Sequence, residues 1–212
     1  MTTEPSPYHR RVAEQKRAAI IEAATRLFLD AGYAGTSLAK VAEAAGVSKA
    51  TLFKQFPTKA ALFDAIVTES WTVEDDGDDF RPPTGDLRAG LTAIGRRYVT
   101  LLTRPGMAAL FRIVIAELPR FPELGKAHFE RGKMPYFDSV RRYLDTENAL
   151  GTAKLDDTEL AATQFLGMIS NYVFWPRMLL IDWSPDDASI AHVVDEAVLM
   201  MGARYGAANT TN

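Results

Sequence analysis

The stretch Thr36–Lys59, TSLAKVAEAAGVSKATLFKQFPTK, constrains the rest of the chain most tightly. Leu38, Val41, Ala42 and Ala45 recur at i, i+3, i+4 and i+7, the spacing of one apolar stripe on a short helix. Thr36 or Ser37 can cap its start, a side-chain oxygen accepting one of the backbone N–H groups that a helix leaves unpaired. Gly46 ends it, because glycine takes a left-handed turn at little steric cost. Ser48 caps a second short helix, Lys49 to Phe56, which Pro57 stops. Two short helices joined at a glycine make a helix-turn-helix. Ala42 lets them approach, and Val47 and Leu52 are expected to wedge between them. Lys49, Ala50, Thr51, Lys54 and Gln55 then face outward. In this motif the second helix enters the major groove with its N-terminal residues nearest the base edges. Lysine can donate to guanine O6 and N7, and glutamine can pair with adenine N6 and N7. Any compact helical hairpin shares the bare pattern, so the flanking sequence has to decide.

The flanking run is AAIIEAATRLFLDAGYAGTSLAKVAEAAGVSKATLFKQFPTKAALFDAIV, Ala18–Val67. It resembles the N-terminal domain of TetR-family transcriptional regulators. The shared features are a first helix ending in LF…GY, the Thr-Ser pair, AGVS, TL-aromatic-x-x-F, and a lysine followed by an apolar helix. The motif and the resemblance together give a DNA-contacting set of Lys16, Arg17, Thr36, Ser37, Ser48, Lys49, Ala50, Thr51, Phe53, Lys54, Gln55 and Lys59. One position departs from the family. Where this chain has Phe53 the family usually has a tyrosine whose hydroxyl touches a DNA phosphate, so neighbouring groups must supply that contact or affinity falls.

Charge is distributed in keeping with this reading. Met1 to Lys59 carries nine Lys/Arg against five Asp/Glu, a net of +4. Ala60 to Asn212 carries fifteen against twenty-two, a net of −7, within an overall charge of −3. A basic segment on an otherwise acidic chain suits one face approaching a polyanion. The hydrophobic fraction of 47% supports a sizeable core. The absence of cysteine removes disulfides, thiol catalysis and cysteine-bearing zinc sites together. No apolar run approaches the ~20 residues of a membrane span, and MTTEPSPYHRR carries no hydrophobic signal core. The expected location is the cytoplasm, with no membrane partner, cofactor or metal.

Met1 to Pro7 is expected to be a mobile arm. The first helix should run from about His9 to Ala31, with Ala19, Ile20, Ala23, Ala24, Leu27 and Phe28 inward. Arg10, Arg11, Lys16 and Arg17 near its start can reach phosphates or serve as a solvated face. Thr58 caps a fourth helix from Lys59, whose N-terminus with a lysine on its first turn suits a phosphate. Glu74 to Asp79 holds five carboxylates in six residues. A calcium loop of the EF-hand type needs a longer register ending in glutamate, so a solvated linker ending at Pro82-Pro83 is the expectation. Further helices are expected over Gly85–Thr103, Met107–Leu118 and Glu123–Asp145, the last disturbed at Gly132 and Pro135. Two long segments follow, Thr158–Ile181, kinked by Pro176, and Pro185–Tyr205, before a fraying polar tail. The fold class is therefore all-α: an N-terminal three-helix helix-turn-helix domain, residues 1–59, and a C-terminal helical ligand-binding and dimerisation domain, residues 60–212.

IVIAELPRFPELGKAHFERG and GTAKLDDTELAATQFLGM resemble a C-terminal domain found in an AefR-like branch of the TetR family. That resemblance implies a helical core able to hold a small molecule and a homodimer made through the last two long helices. Candidate interface residues are Phe165, Ile169, Val193, Val194, Ala197 and Met201, some of which must face their own subunit. A candidate pocket lining is Tyr98, Leu102, Phe111, Arg112, Ile115, Phe137, Gln164, Met168, Asn171, Tyr172, Trp175 and Met178. Methionine and aromatic rings adapt to varied hydrophobic ligands, and the same spacing is equally that of plain core.

An enzyme is the first rival reading. His9, His128 and His192 are far apart and form no HExxH, and no G-x-S-x-G elbow, P-loop or G-x-G-x-x-G occurs. The resemblance implies a homodimeric regulator, most often a repressor, on a palindromic double-stranded DNA operator. Two recognition helices about 34–36 Å apart would enter successive major grooves, and a small hydrophobic ligand would release the DNA. A dimeric DNA-binding regulator controlled by a protein partner or by its own abundance stays open beside it.

Overall fold

The computed structural model describes residues 7–72 and 80–207. The expected N-terminal arm, the acidic linker and the last residues of the tail fall largely outside them. The described residues are helical, with one isolated antiparallel bridge between Ala153 and Gly206. The helices are α1 (Pro7–Gly35), α2 (Leu38–Ala44), α3 (Lys49–Gln55), α4 (Lys59–Ser70), α5 (Leu87–Thr103) and α6 (Met107–Glu117). Then come α7 (Pro122–Ala127), a π-helical turn (His128–Lys133), α8 (Met134–Ala149), α9 (Thr158–Val173), α10 (Trp175–Leu179) and α11 (Asp187–Tyr205). No single helix among the described residues is long and apolar enough to cross a membrane.

Two compact units result. The first contains the chain up to Glu69 together with Ala109–Arg131, and the second contains Ser70–Ala108 and the chain from Gly132 onward. This division differs from a cut after Lys59. It keeps α4 with the helix-turn-helix and adds to it a segment from far along the chain.

In the first unit Ile20, Ala23, Ala24 and Phe28 of α1 are buried, as the 3.6-residue period requires. Leu27 and Ala19, expected beside them, are only half-buried. Helix α1 breaks at Gly32, whose φ of 72° few side chains adopt. Val41, Ala42, Leu52, Phe56, Leu62, Phe63, Ile66 and Val67 extend this buried set, with Leu110, Val114 and Leu124 from farther along the chain.

In the second unit α5, α8, α9 and α11 pack against one another. A Cβ on Gly95 of α5 would lie 2.8 Å from Val194 and 3.3 Å from Ile169 and Phe165, so glycine sets how closely the helices cross. Three helices here start with one device: Asp86, Asp157 and Asp186 accept the N–H of Ala89, Leu160 and Ser189. The two prolines act as expected, with a structural refinement. Pro176 supplies no N–H for the Tyr172 carbonyl, and α9 ends at Val173. The indole N–H of Trp183 donates to that carbonyl at 3.3 Å. Pro135 likewise removes a donor just after the π-helical turn.

Candidate nucleic-acid interface

The turn between α2 and α3 is built by local hydrogen bonds. The N–H of Gly46 donates to Glu43 at 3.1 Å and that of Val47 to Ala42 at 3.0 Å, the two bonds of a Schellman ending. Gly46 takes the positive φ of 64° that this ending requires. Ser37 caps α2 by accepting the Lys40 N–H, and Ser48 caps α3 by accepting the Thr51 N–H at 3.1 Å. Leu52 is fully buried as the wedge, and Val47 is half-buried beside it.

This geometry leaves Lys49, Ala50, Phe53 and Lys54 exposed on α3, with Thr51 half-buried and bonded through its hydroxyl to Ser48. Phe53, 48% exposed, is a ring without a hydroxyl among cationic neighbours. Lys16 and Arg17 of α1 are exposed, and the Arg17 guanidinium rests 4.6 Å from the Phe56 ring centroid, just beyond α3. Ser37 and Ser48 are also exposed.

Three of the twelve expected DNA contacts are placed differently. Thr36 is buried, and its hydroxyl lies 3.0 Å from the Leu27 carbonyl and 2.9 Å from that of Gly32, so it closes the end of α1. Gln55 donates from Nε2 to the Ala13 carbonyl at 3.3 Å, which ties α3 to α1 and engages one of its two amide hydrogens. The Lys59 ammonium donates to the Tyr33 and Thr36 carbonyls at 2.7 and 2.9 Å and lies 4.3 Å from the Tyr33 ring centroid. Burial lowers its pKa below the ordinary lysine value, and Glu117 opposes the shift. Burial, with Glu123, Asp64 and Glu117 nearby, pushes Tyr33 up to about 12. Lys59 thus joins α4 to the α1–α2 junction, with its ammonium turned to two carbonyls.

Sequence reasoning missed what holds this junction from the other side. Glu117 accepts the Ala34 N–H at 3.0 Å, approaching where Gly32 has no Cβ. The Phe121 ring meets Tyr33 edge-on at 5.0 Å, and Arg131 pairs with Asp64 at 3.1 Å. The partners in the Glu117 bond are 83 residues apart, so no local signal points to it.

The expected ligand lining is dispersed. Phe111, Arg112 and Ile115 belong to the first unit and the other nine residues to the second. Arg112, Ile115, Asn171 and Trp175 are exposed, Phe111, Tyr172 and Met178 half-buried, and Tyr98, Leu102 and Phe137 buried in core. Gln164 and Met168 line a groove with Met200, Met201, Arg204 and Tyr205, where the Tyr205 hydroxyl bonds Gln164 at 2.7 Å. A cavity of about 340 Å³ lies elsewhere, between α5, α8 and residues 80–84, and holds none of the twelve.

The expected interface residues also need correction. Phe165, Ile169, Val194, Ala197 and Met201 are buried within their own protomer and Val193 is half-buried. Phe165, Ile169 and Val194 face the core because α5 packs over them at Gly95. The apolar residues that α9 and α11 leave outside are Leu160, Leu199 and Met200.

The comparisons with known proteins agree with this geometry. A family described as bacterial regulatory proteins, tetR family, matches residues 20–66. One described as the C-terminal domain of AefR-like transcriptional repressors matches residues 89–207. The HTH-type transcriptional regulator TtgR of Pseudomonas putida is 37% identical over 93 residues, which are 41% of this chain and 44% of that protein. The chain thus spans less than half the length of that curated relative. A TetR family transcriptional regulator from Pseudomonas syringae has a solved structure with a TM-score of 0.73 at 26% identity, covering 91% of this chain and 97% of that one. The flavonoid-responsive regulator FrrA superposes with a TM-score of 0.72 at 29% identity, covering 91% and 98%. These relatives are regulators and not enzymes. With family matches over both the helix-turn-helix and more than half of the chain, the protein belongs to the TetR family of transcriptional regulators and carries an AefR-like C-terminal domain.

Proposed function

We propose that the protein is a homodimeric repressor that binds a palindromic DNA operator through α3 and lets go when a small hydrophobic ligand occupies its second unit. The observation that carries the DNA reading is the outer face of α3, where Lys49 and Lys54 stand exposed on a helix fixed by the Ser48 cap and the Gly46 turn. Each lysine can donate to guanine O6 and N7. Lys16 and Arg17 add charge for the phosphates, which position the protein without reading sequence.

Family members bind operators as dimers. The exposed Leu160, Leu199 and Met200 on α9 and α11 support the same state here, because a second copy would cover them. For ligand control, the support is that FrrA, similar across nearly the whole fold, is a flavonoid-responsive regulator. A ligand that prefers the form unsuited to DNA would lower operator affinity by linkage, typically by about 1–3 kcal/mol.

The test is a gel-shift titration at two salt concentrations, using an operator selected from a random duplex pool and a scrambled control. Lys49→Ala and Lys54→Ala should each weaken the operator by about 1–3 kcal/mol with little change on the scrambled duplex. Wild-type affinity in both variants would sink the docking through α3.

A further inference from the structure

The 340 Å³ cavity of the second unit has a lining with a definite chemical preference. Ile94, Val140, Tyr136 and Tyr143 supply its apolar wall. Four of the five lining hydroxyls donate to backbone carbonyls: Tyr136 to Ile94 at 2.9 Å, Tyr143 to Asp86 at 3.4 Å, Ser139 to Tyr136 at 2.6 Å, and Thr146 to Arg142 at 3.0 Å. Burial raises both phenols above their ordinary pKa, with the carboxylates of Glu147 and Asp86 behind the wall adding to the shift at Tyr143 and Arg97 opposing it at Tyr136, so both keep their protons at neutral pH. These four groups therefore have their protons engaged elsewhere, which leaves the polar recognition of an occupant to the charged donors. The charged donors in the lining are the guanidinium groups of Arg81 and Arg142, both on exposed residues, and no lining residue is acidic.

We propose that this cavity binds a small aromatic carboxylate, its ring system against Tyr136, Tyr143, Ile94 and Val140 and its carboxylate on Arg142 at the mouth. The inference rests on the reading that the second unit answers to a hydrophobic ligand, and it gives that ligand a place and a charge. A volume near the lower end of the ~300–1,000 Å³ typical of ligand pockets suits a body of one or two fused rings. A planar guanidinium fork matches a carboxylate in two parallel hydrogen bonds, which fixes orientation as well as charge. The wall continues within the second unit to the residues with which that unit begins, Ser70 and Trp71. Tyr136 stacks on Tyr98 at 5.3 Å and meets Trp71, the residue after α4, at 6.5 Å. Arg104 of the same unit donates to the carbonyl of Ser70, the last residue of α4, at 3.2 Å.

Calorimetric titration of the full chain with three probes of one shape tests the proposal: naphthalene-2-carboxylate, its neutral carboxamide, and naphthalen-2-ylmethylammonium. The carboxylate should bind about tenfold more tightly than the amide, and the ammonium weakest of all. Arg142→Gln should erase the difference between carboxylate and amide while leaving the amide's affinity in place. Ser139→Trp, on an exposed position of the rim, should block all binding at an unchanged melting temperature. Thr146→Trp, also exposed, provides the same obstruction if the first variant folds poorly. Equal binding of acid and amide, no binding of either, full binding in both tryptophan variants, or preference for the ammonium would each overturn it. Release of operator by saturating naphthalene-2-carboxylate is scored separately. Binding at this cavity without release upholds the site and overturns the ligand-release reading alone.

Discussion

The recognition hairpin and the α9–α11 pair face opposite packing problems. Helices α2 and α3 have seven residues each, too few to be stable alone. They are held by a cap at each start, the Gly46 turn, and a few buried anchors such as Val41, Ala42 and Leu52. The outer surface of α3 is therefore left to Lys49, Ala50, Lys54 and the Phe53 ring, while α2 exposes Lys40 and Glu43. Helices α9 and α11 have sixteen and nineteen residues and bury one apolar face in the protomer while leaving another apolar set outside. Short helices fixed by local bonds leave a polar face for a polyanion. Long helices with apolar residues on two sides leave one apolar set exposed, which the proposed dimer would cover.

The largest effect should come from separating the two faces of α9. Phe165→Ala removes a fully buried ring and should cost about 3–5 kcal/mol of folding stability, read by chemical denaturation. Leu160→Asp, only five positions away, should leave the protomer folded and shift its sedimentation from dimer to monomer. If Leu160→Asp remains a dimer at micromolar concentration, the exposed face of α9 is not the seam.

Within the first unit, the comparison sharpens around Lys59. Lys59→Met forfeits two hydrogen bonds to carbonyls and should lower stability by about 1–3 kcal/mol in thermal unfolding. A phosphate ligand would behave otherwise. It would keep the melting temperature and flatten the salt dependence of binding on every duplex alike, and that pattern would restore Lys59 to the DNA face.

Thr36→Val tests the same junction more gently. It replaces a buried hydroxyl by a methyl of similar size and should cost about 1–2 kcal/mol, with binding impaired only as far as folding is. A loss of operator affinity at full stability would mean that Thr36 reaches DNA after all.

The smallest effect belongs to Ser48→Ala. Losing the cap of α3 should cost about 1 kcal/mol and loosen the recognition helix before anything else. Faster hydrogen exchange confined to residues 49–55 is the expected signature. Uniform protection across α3 would show that its tertiary anchors hold it without the cap.

Much of this was legible in the sequence because its causes are local. Ser37, Ser48 and Gly46 act on neighbours three to five residues away, so the two caps and the left-handed turn can be read from the order of residues alone. The prolines at 135 and 176 disturb their helices where the missing N–H says they should. The boundaries of α5, α6 and α11 follow from the apolar period and its stops, within the usual fraying of helix ends. The tertiary structure decided what depends on distant partners. Lys59 has the composition of a phosphate ligand, and only the fold brings the Tyr33 and Thr36 carbonyls to its ammonium. Glu117 finds Ala34 across 83 residues, a pairing that no periodicity encodes. On α9 and α11 the apolar residues cover more than one face, so spacing cannot say which side meets α5. The same holds for the cavity beside Arg142: its walls come from α5, α8 and a loop, and a cavity exists only once their separation is set by packing.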